Sequence, residues 1–246
     1  MPNILQYIQQ LRKQKSKGIA LLIDPDKVSE ESIKQLGKVH RQYPVNLLFV
    51  GGSILTRKPP QHLIENLRKE FAVPIVLFPG SNSQIDPHAD ALLFLSLISG
   101  RNPELLIGKH VEVAALLKKS NLEVIATGYM LIESGKMTTV QYMSGTLPIP
   151  HDKPEVAQST AMAGEMLGLK LIYMDAGSGA HKPVSSQMIQ MVRESIDIPV
   201  IVGGGIRDAA TAKSAFDAGA DLIVVGTAVE DQGGKILEEI HQLKLF

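Results

Sequence analysis

Three groups of residues in this chain have types and spacing that could do chemistry. The apolar run "IPVIVGGG" ends in Gly203, Gly204 and Gly205, and the next one, "DLIVVGT", ends in Gly226 and Thr227. Glycine lets backbone N–H groups come close to an anion, and a helix starting just beyond adds the positive end of its dipole. Together the two stretches form a candidate phosphate cradle; taken as tight turns they would need no ligand. A second group lies in "LIYMDAGSGAHKP", which offers the phenol of Tyr173, the carboxylate of Asp175, the hydroxyl of Ser178 and the amides of Gly177 and Gly179. The plain alternative is a turn leading to a helix near Pro183, with Asp175 as an Asx-type turn residue. The third group is Asp24 in "LIDPDK" with Ser53 in "VGGS". One carboxylate and one hydroxyl suit Mg²⁺, which takes few protein oxygens and keeps water and substrate phosphate; an Asp-Pro turn would explain Asp24 equally well. Lys27 could neutralise a phosphate. Arg207 reads as a surface cation, Asp208 as a helix cap, and the seven histidines, His181 included, lack metal-ligand spacing.

These groups must be positioned by secondary structure, and the chain supplies a repeating pattern for it. Short apolar runs recur: "IALLID", "VNLLFVGG", "PIVLFPG", "DALLFLSLI", "EVIATGYMLI", "KLIYMDAG", "IPVIVGGG" and "DLIVVGT". They are continuously apolar, as expected of parallel strands buried on both faces, and helical patterns separate them. Asp208 is suited to N-cap a helix over 209–218, with Gly219 as its stop. Eight strands with helical crossovers in 246 residues predict a single-domain (β/α)8 barrel over 1–246, with a doubly wound open sheet as the alternative. In such a barrel the loops after strands seven and eight lie side by side at the C-terminal face, which brings the glycine groups together. Two connections are irregular. "SNSQIDPHA" is too short and too turn-rich for a packing helix, so the third outer helix is expected to be missing. "ESGKMTTVQYMSGTLPIPHDKP", before a helix near Pro154, is long enough for a lid, an oligomer contact or a mobile loop.

The motifs "LIDPDK", "VGGS", "YMDAGSGA", "PVIVGGGIRD" and "VVGTA", in this order and spanning nearly the whole chain, resemble the geranylgeranylglyceryl phosphate synthase family. The resemblance implies a barrel without its third helix and a Mg²⁺-dependent prenyltransferase. Such an enzyme joins a prenyl diphosphate, geranylgeranyl diphosphate in the first place, to the C3 hydroxyl of sn-glycerol 1-phosphate, forming an ether-lipid precursor. It further implies that Asp24 and Ser53 carry the metal. Tyr173, Met174, Asp175, Ala176, Gly177, Ser178 and Gly179, with Gly204, Gly205, Gly226 and Thr227, would hold the glycerol phosphate, and a homo-oligomer would form. Many relatives have Glu where this chain has Asp175, and Asn where it has Thr227. The shorter Asp175 is the expected proton acceptor for the C3 hydroxyl, a role typically worth ~10²–10⁴-fold.

Composition narrows the remaining choices. Basic and acidic residues balance at 25 each with no Lys/Arg block, which argues against a nucleic-acid surface. Absence of cysteine removes disulfides and suits the cytoplasm. The longest apolar run, "ALLFLSLI", is far short of a ~20-residue membrane span, leaving only transient membrane contact. A phosphate-binding isomerase barrel of the histidine-pathway type would place catalytic acids on strands one and five, yet strand five carries no carboxylate at its far end before Glu133. A non-catalytic barrel binding a phosphate metabolite would explain the glycines but leave Asp24, Ser53 and the Tyr/Asp/Ser cluster without a role.

Overall fold

The computed structural model describes residues 3–57, 62–232 and 234–244. Eight parallel strands close into a barrel in sequence order. They are β1 (Gly18–Ile23), β2 (Leu47–Val50), β3 (Ile75–Leu77), β4 (Ala91–Leu97), β5 (Glu123–Leu131), β6 (Leu171–Asp175), β7 (Val200–Gly203) and β8 (Leu222–Val225). Every expected strand is present. The helices are α1 (Ile4–Gln14), α2 (Glu30–Gln42), α3 (Leu63–Glu70), α4 (Lys109–Lys119), α5 (Thr139–Ser144), α6 (Pro154–Met166), α7 (Ser186–Ser195), α8 (Ala209–Asp217), α9 (Thr227–Gln232) and α10 (Lys235–Gln242). Helix α6 begins at Pro154 as read from the sequence. Helix α7 starts three residues beyond Pro183, where the Ser185 side chain accepts from the Met188 N–H and caps it. Asp208 caps α8 by accepting from the Thr211 N–H at 2.7 Å.

The strands are apolar on both faces because each face meets a different core. Side chains such as Ile172, Met174 and Val202 join the layer between barrel and helices. Alternate residues, among them Leu47, Phe49, Leu93, Tyr173 and Leu222, fill the interior. Helix α1 contributes Ile4, Ile8 and Leu11 to that inner core and thereby closes the N-terminal end. The carboxylate of Glu123, the first residue of β5, accepts from the Ile4 and Leu5 N–H groups at 2.6 and 2.9 Å, where a negative charge suits the helix start. Helix α1 therefore covers the N-terminal end, which leaves the C-terminal end as the face for a site.

The connection between β3 and β4 carries only a 3₁₀ turn at Asn82–Gln84, so the third outer helix is indeed absent. Gln84 takes over part of its structural work. Its side-chain oxygen accepts from the Gly52 and Gly80 N–H groups, and its amide nitrogen donates to the Gly52 carbonyl at 2.8 Å. That clamp holds the β2 loop in place just before Ser53.

Candidate functional site

The chemistry-bearing residues collect at the C-terminal ends of β1, β2, β6, β7 and β8. Asp175 is the last residue of β6 and shares the inward parity of Tyr173, which aims its carboxylate into the top of the barrel. It is 7% exposed. One carboxylate oxygen accepts from the Gly177 N–H at 2.7 Å and the other from the Tyr129 hydroxyl at 2.6 Å. Burial pushes the Asp175 carboxyl above its ordinary range, and the two donors oppose this by favouring the charged form. The Tyr129 hydroxyl is pushed well up, first by burial and then by the neighbouring charge, so it stays protonated and remains a donor. The Asx-type turn considered for Asp175 is real, yet it uses only one of the two oxygens.

Tyr129 was not among the residues singled out from the sequence. It lies on β5 in register with Tyr173, inside an apolar strand where a tyrosine reads as core. Phe78, just beyond β3, completes an aromatic floor. Its ring stacks on Tyr173 at 4.9 Å and 12° and meets Tyr129 edge-on at 5.9 Å. Tyr173 is 1% exposed, so it forms part of this floor rather than projecting into open solvent. Its hydroxyl has no hydrogen-bond partner among the described residues. Gly203, read as part of the cradle, has a different duty: a Cβ there would overlap the Tyr173 hydroxyl.

The remaining β6 residues divide by parity. Met174 and Ala176, like Ala180 beyond the expected set, turn their side chains outward into the core under the helices, so Met174 and Ala176 can offer a ligand only their backbone. Ser178 is exposed and touches the Thr227 hydroxyl at 3.2 Å, tying the β6 loop to the end of β8. Arg207 donates to the Gly179 and Ala180 carbonyls at 3.1 and 2.7 Å, which binds the β7 loop to the same segment. Three loops expected to cooperate are thus physically joined.

The glycines answer differently to the question of turn or cradle. Gly204 and Gly205 have φ of +78° and +74°, and a Cβ on Gly204 would lie 2.7 Å from the Asp175 carboxylate. The turn alone accounts for them. Gly226 lies outside that left-handed region, and the nearest atom to a Cβ there is Leu22 Cβ at 3.3 Å. Its bareness is not demanded by the backbone conformation, although close packing on Leu22 favours a small residue there. Helix α9 begins at the next residue; the Val229 N–H donates back to the Gly226 carbonyl at 2.8 Å, while the Thr227 and Ala228 N–H groups at its start have no intrahelical acceptor.

Across the mouth, Asp24 is partly exposed. One oxygen accepts from the Asp26 N–H at 3.0 Å and the other pairs with Lys27 at 3.5 Å. The same carboxylate lies beside Gly52, which precedes Ser53. Asp26 is occupied elsewhere, accepting from the Thr56 N–H and hydroxyl and the Arg57 N–H; these bonds hold its carboxyl below the usual range. Among the described residues no group of three His, Cys, Asp or Glu side chains converges on a metal position. A single carboxylate with a neighbouring hydroxyl fits Mg²⁺ only where substrate oxygens and water complete the shell. The acid on β5 required by the isomerase alternative is missing: Glu123 serves α1 at the opposite end, and Glu133 accepts from the Gly135 N–H.

Comparison with known proteins agrees with this architecture. Residues 9–244 match the PcrB family. A geranylgeranylglyceryl phosphate synthase of Spirosoma linguale is 53% identical over 87% of this chain and 86% of its own length. One from Pyrococcus furiosus is 38% identical over 90% of both chains. A crystal structure of (S)-3-O-geranylgeranylglyceryl phosphate synthase from Thermoplasma acidophilum, in complex with its substrate sn-glycerol-1-phosphate, superposes with a TM-score of 0.90. It shares 31% identity and covers 98% of both chains. With the barrel, the missing helix and the joined β6–β8 loops all in place, the chain belongs to the PcrB family, alongside the geranylgeranylglyceryl phosphate synthases.

Proposed function

We propose that the barrel mouth transfers a prenyl group from its diphosphate to the C3 hydroxyl of sn-glycerol 1-phosphate. The observation that carries this reading is a buried carboxylate, Asp175, held at the barrel mouth beside the glycine turns of β7 and the start of α9. The acceptor's phosphate lies against the backbone of Gly204, Gly205, Gly226 and Thr227, and its glycerol against Tyr173, Asp175 and Ser178. In the reaction the C1–O bond of the donor breaks and its electron pair leaves with diphosphate. The C3 oxygen bonds to C1, and its proton passes to Asp175. Burial makes the ionised Asp175 a better base, while Tyr129 and Gly177 fix its direction. The aromatic floor of Phe78, Tyr129 and Tyr173 keeps water from entering below the reacting carbon. Asp24 and Ser53 would hold Mg²⁺, which when bound supplies charge to neutralise the departing diphosphate. Positioning and electrostatics dominate such a transfer. The prenyl chain runs along the flank left without a helix between β3 and β4.

The test is an organic-extraction assay with purified protein, both glycerol phosphate enantiomers, prenyl diphosphates of graded length, and Mg²⁺ or a chelator. Product from the sn-1 enantiomer alone, with a preference for one donor length and loss on chelation, is expected. Absence of product with every donor, while calorimetry still shows glycerol phosphate binding, would favour the non-catalytic barrel.

A further inference from the structure

The segment read from the sequence as a lid, an oligomer contact or a mobile loop is stapled to the β6 loop. Its start bonds to the end of β6, with the Ile132 N–H donating to the Asp175 carbonyl at 2.8 Å, and the Ser134 carbonyl accepts from the His181 and Lys182 N–H groups at 3.2 and 3.0 Å. Ser134 and Thr138 are 2% and 5% exposed, so the turn between them has two buried footings. Thr138 caps α5 and packs so tightly on Gly177 that a Cβ there would meet its side chain at 2.9 Å. The Ser134 hydroxyl donates to the Lys136 carbonyl at 3.2 Å, which fixes the turn itself. Between these anchors Lys136 is exposed, and its ammonium lies 3.3 Å from the position a Gly179 Cβ would take. Among the described residues no carboxylate pairs with it.

A turn built to hold an ammonium over a glycine loop adds positive charge where that loop's own N–H groups already favour an anion. Arg207 grips the carbonyls of Gly179 and Ala180, and the Gly177, Ala180, His181 and Lys182 N–H groups are bonded within the chain, which leaves those of Ser178 and Gly179 for the same anion. We propose that Lys136 is a positioning residue for the acceptor: its ammonium binds the phosphate of sn-glycerol 1-phosphate from the side opposite the β7 and β8 turns. This rests on the assignment of the glycine loops to the acceptor. A cation delivered by the β5–α6 connection would make acceptor affinity depend on that connection as well as on the barrel loops.

The experiment compares wild type, Lys136→Met, which keeps the apolar stem, and Lys136→Arg. Calorimetry measures binding of sn-glycerol 1-phosphate and of inorganic phosphate, and steady-state kinetics gives KM for acceptor and donor separately. Loss of one charge-assisted contact weakens acceptor binding by about 10- to 100-fold. Donor KM and kcat stay within about twofold, and Lys136→Arg recovers most of the affinity. The acceptor affinity of the wild type also falls more steeply with added salt than that of Lys136→Met. Unchanged acceptor affinity in Lys136→Met overturns the proposal, as does a rise confined to donor KM. A fall in kcat with acceptor affinity intact does so too. Circular dichroism checks the fold, and Lys136→Gln replaces Lys136→Met should the latter melt early. A wild type that binds no sn-glycerol 1-phosphate removes the functional reading and this one together. A wild type that binds it no better than Lys136→Met removes this one alone.

Discussion

Replacing Tyr129 with Phe deletes the hydroxyl that donates to Asp175 at 2.6 Å and leaves the ring between Phe78 and Tyr173 at 5.9 and 5.6 Å. A hydrogen bond to a charged group contributes about 1.5–3 kcal/mol, and at 7% exposure water replaces little of it. The loss falls on the ionised carboxylate, so Asp175 holds its proton to higher pH. At about 1.4 kcal/mol per tenfold, the acid limb of kcat moves upward by about one to two pH units. Stability falls by a similar energy, or about 3–10 °C in Tm for a chain of this size. The sign of its pH dependence follows from burial. Asp175 is held above its unfolded value, so the folded chain takes up this proton first, and stability is lost as pH rises through the folded value. The Tm deficit of Tyr129→Phe is therefore largest at neutral pH and shrinks on acidification as Asp175 is neutralised. Single-turnover rates across pH, with both substrates saturating, measure the limb. Asp175→Asn, which keeps an acceptor for the Gly177 N–H but cannot take a proton, should lose ~10²–10⁴-fold in rate. An acid limb that stays put in Tyr129→Phe while Tm falls would remove Asp175 as the proton acceptor.

Three further outcomes follow from the site. Asp24→Asn should raise donor KM and the Mg²⁺ requirement while leaving acceptor binding by calorimetry nearly intact; loss of acceptor binding instead would show that the two halves of the mouth were assigned wrongly. Gly226→Ala should raise acceptor KM and cost less stability than Gly204→Ala, which loses more than the ~1–2 kcal/mol of a left-handed φ because its Cβ also meets the Gly177 backbone nitrogen at 2.5 Å. Equal acceptor KM for Gly226→Ala and wild type would leave the cradle without support there. Asp208→Ala removes the cap on the Thr211 N–H and should cost about 1 kcal/mol by chemical denaturation with kinetics unchanged; a large rate loss would mean that Asp208 also acts in the reaction.

The barrel was legible because its cause is local. Runs such as "DALLFLSLI" and "DLIVVGT" are apolar without alternation, and only burial on both faces of a parallel sheet explains that. The missing helix was legible for the same kind of reason, since a stretch as short and polar as "SNSQIDPHA" has no apolar stripe to bury. Asp24, Asp175, Ser178, Gly226 and Thr227 could be singled out because each closes an apolar run or lies within three residues of its end, and in a barrel those ends converge.

What the chain order alone could not decide was which side chains face each other. Met174 and Tyr173 are neighbours in sequence, yet strand parity sends one under the helices and the other into the barrel floor. Tyr129 and Asp175 are 46 positions apart, and only the β5–β6 register brings that hydroxyl to the carboxylate. Nothing in the chain order marked Lys136 within its turn-rich passage; the bonds between Ser134, Thr138 and the β6 loop place its ammonium over Gly179. Local propensity and pattern specify elements, because each is stabilised within its own few residues. Partnerships across strands depend on register and parity, which the closed sheet sets only once the whole chain has packed.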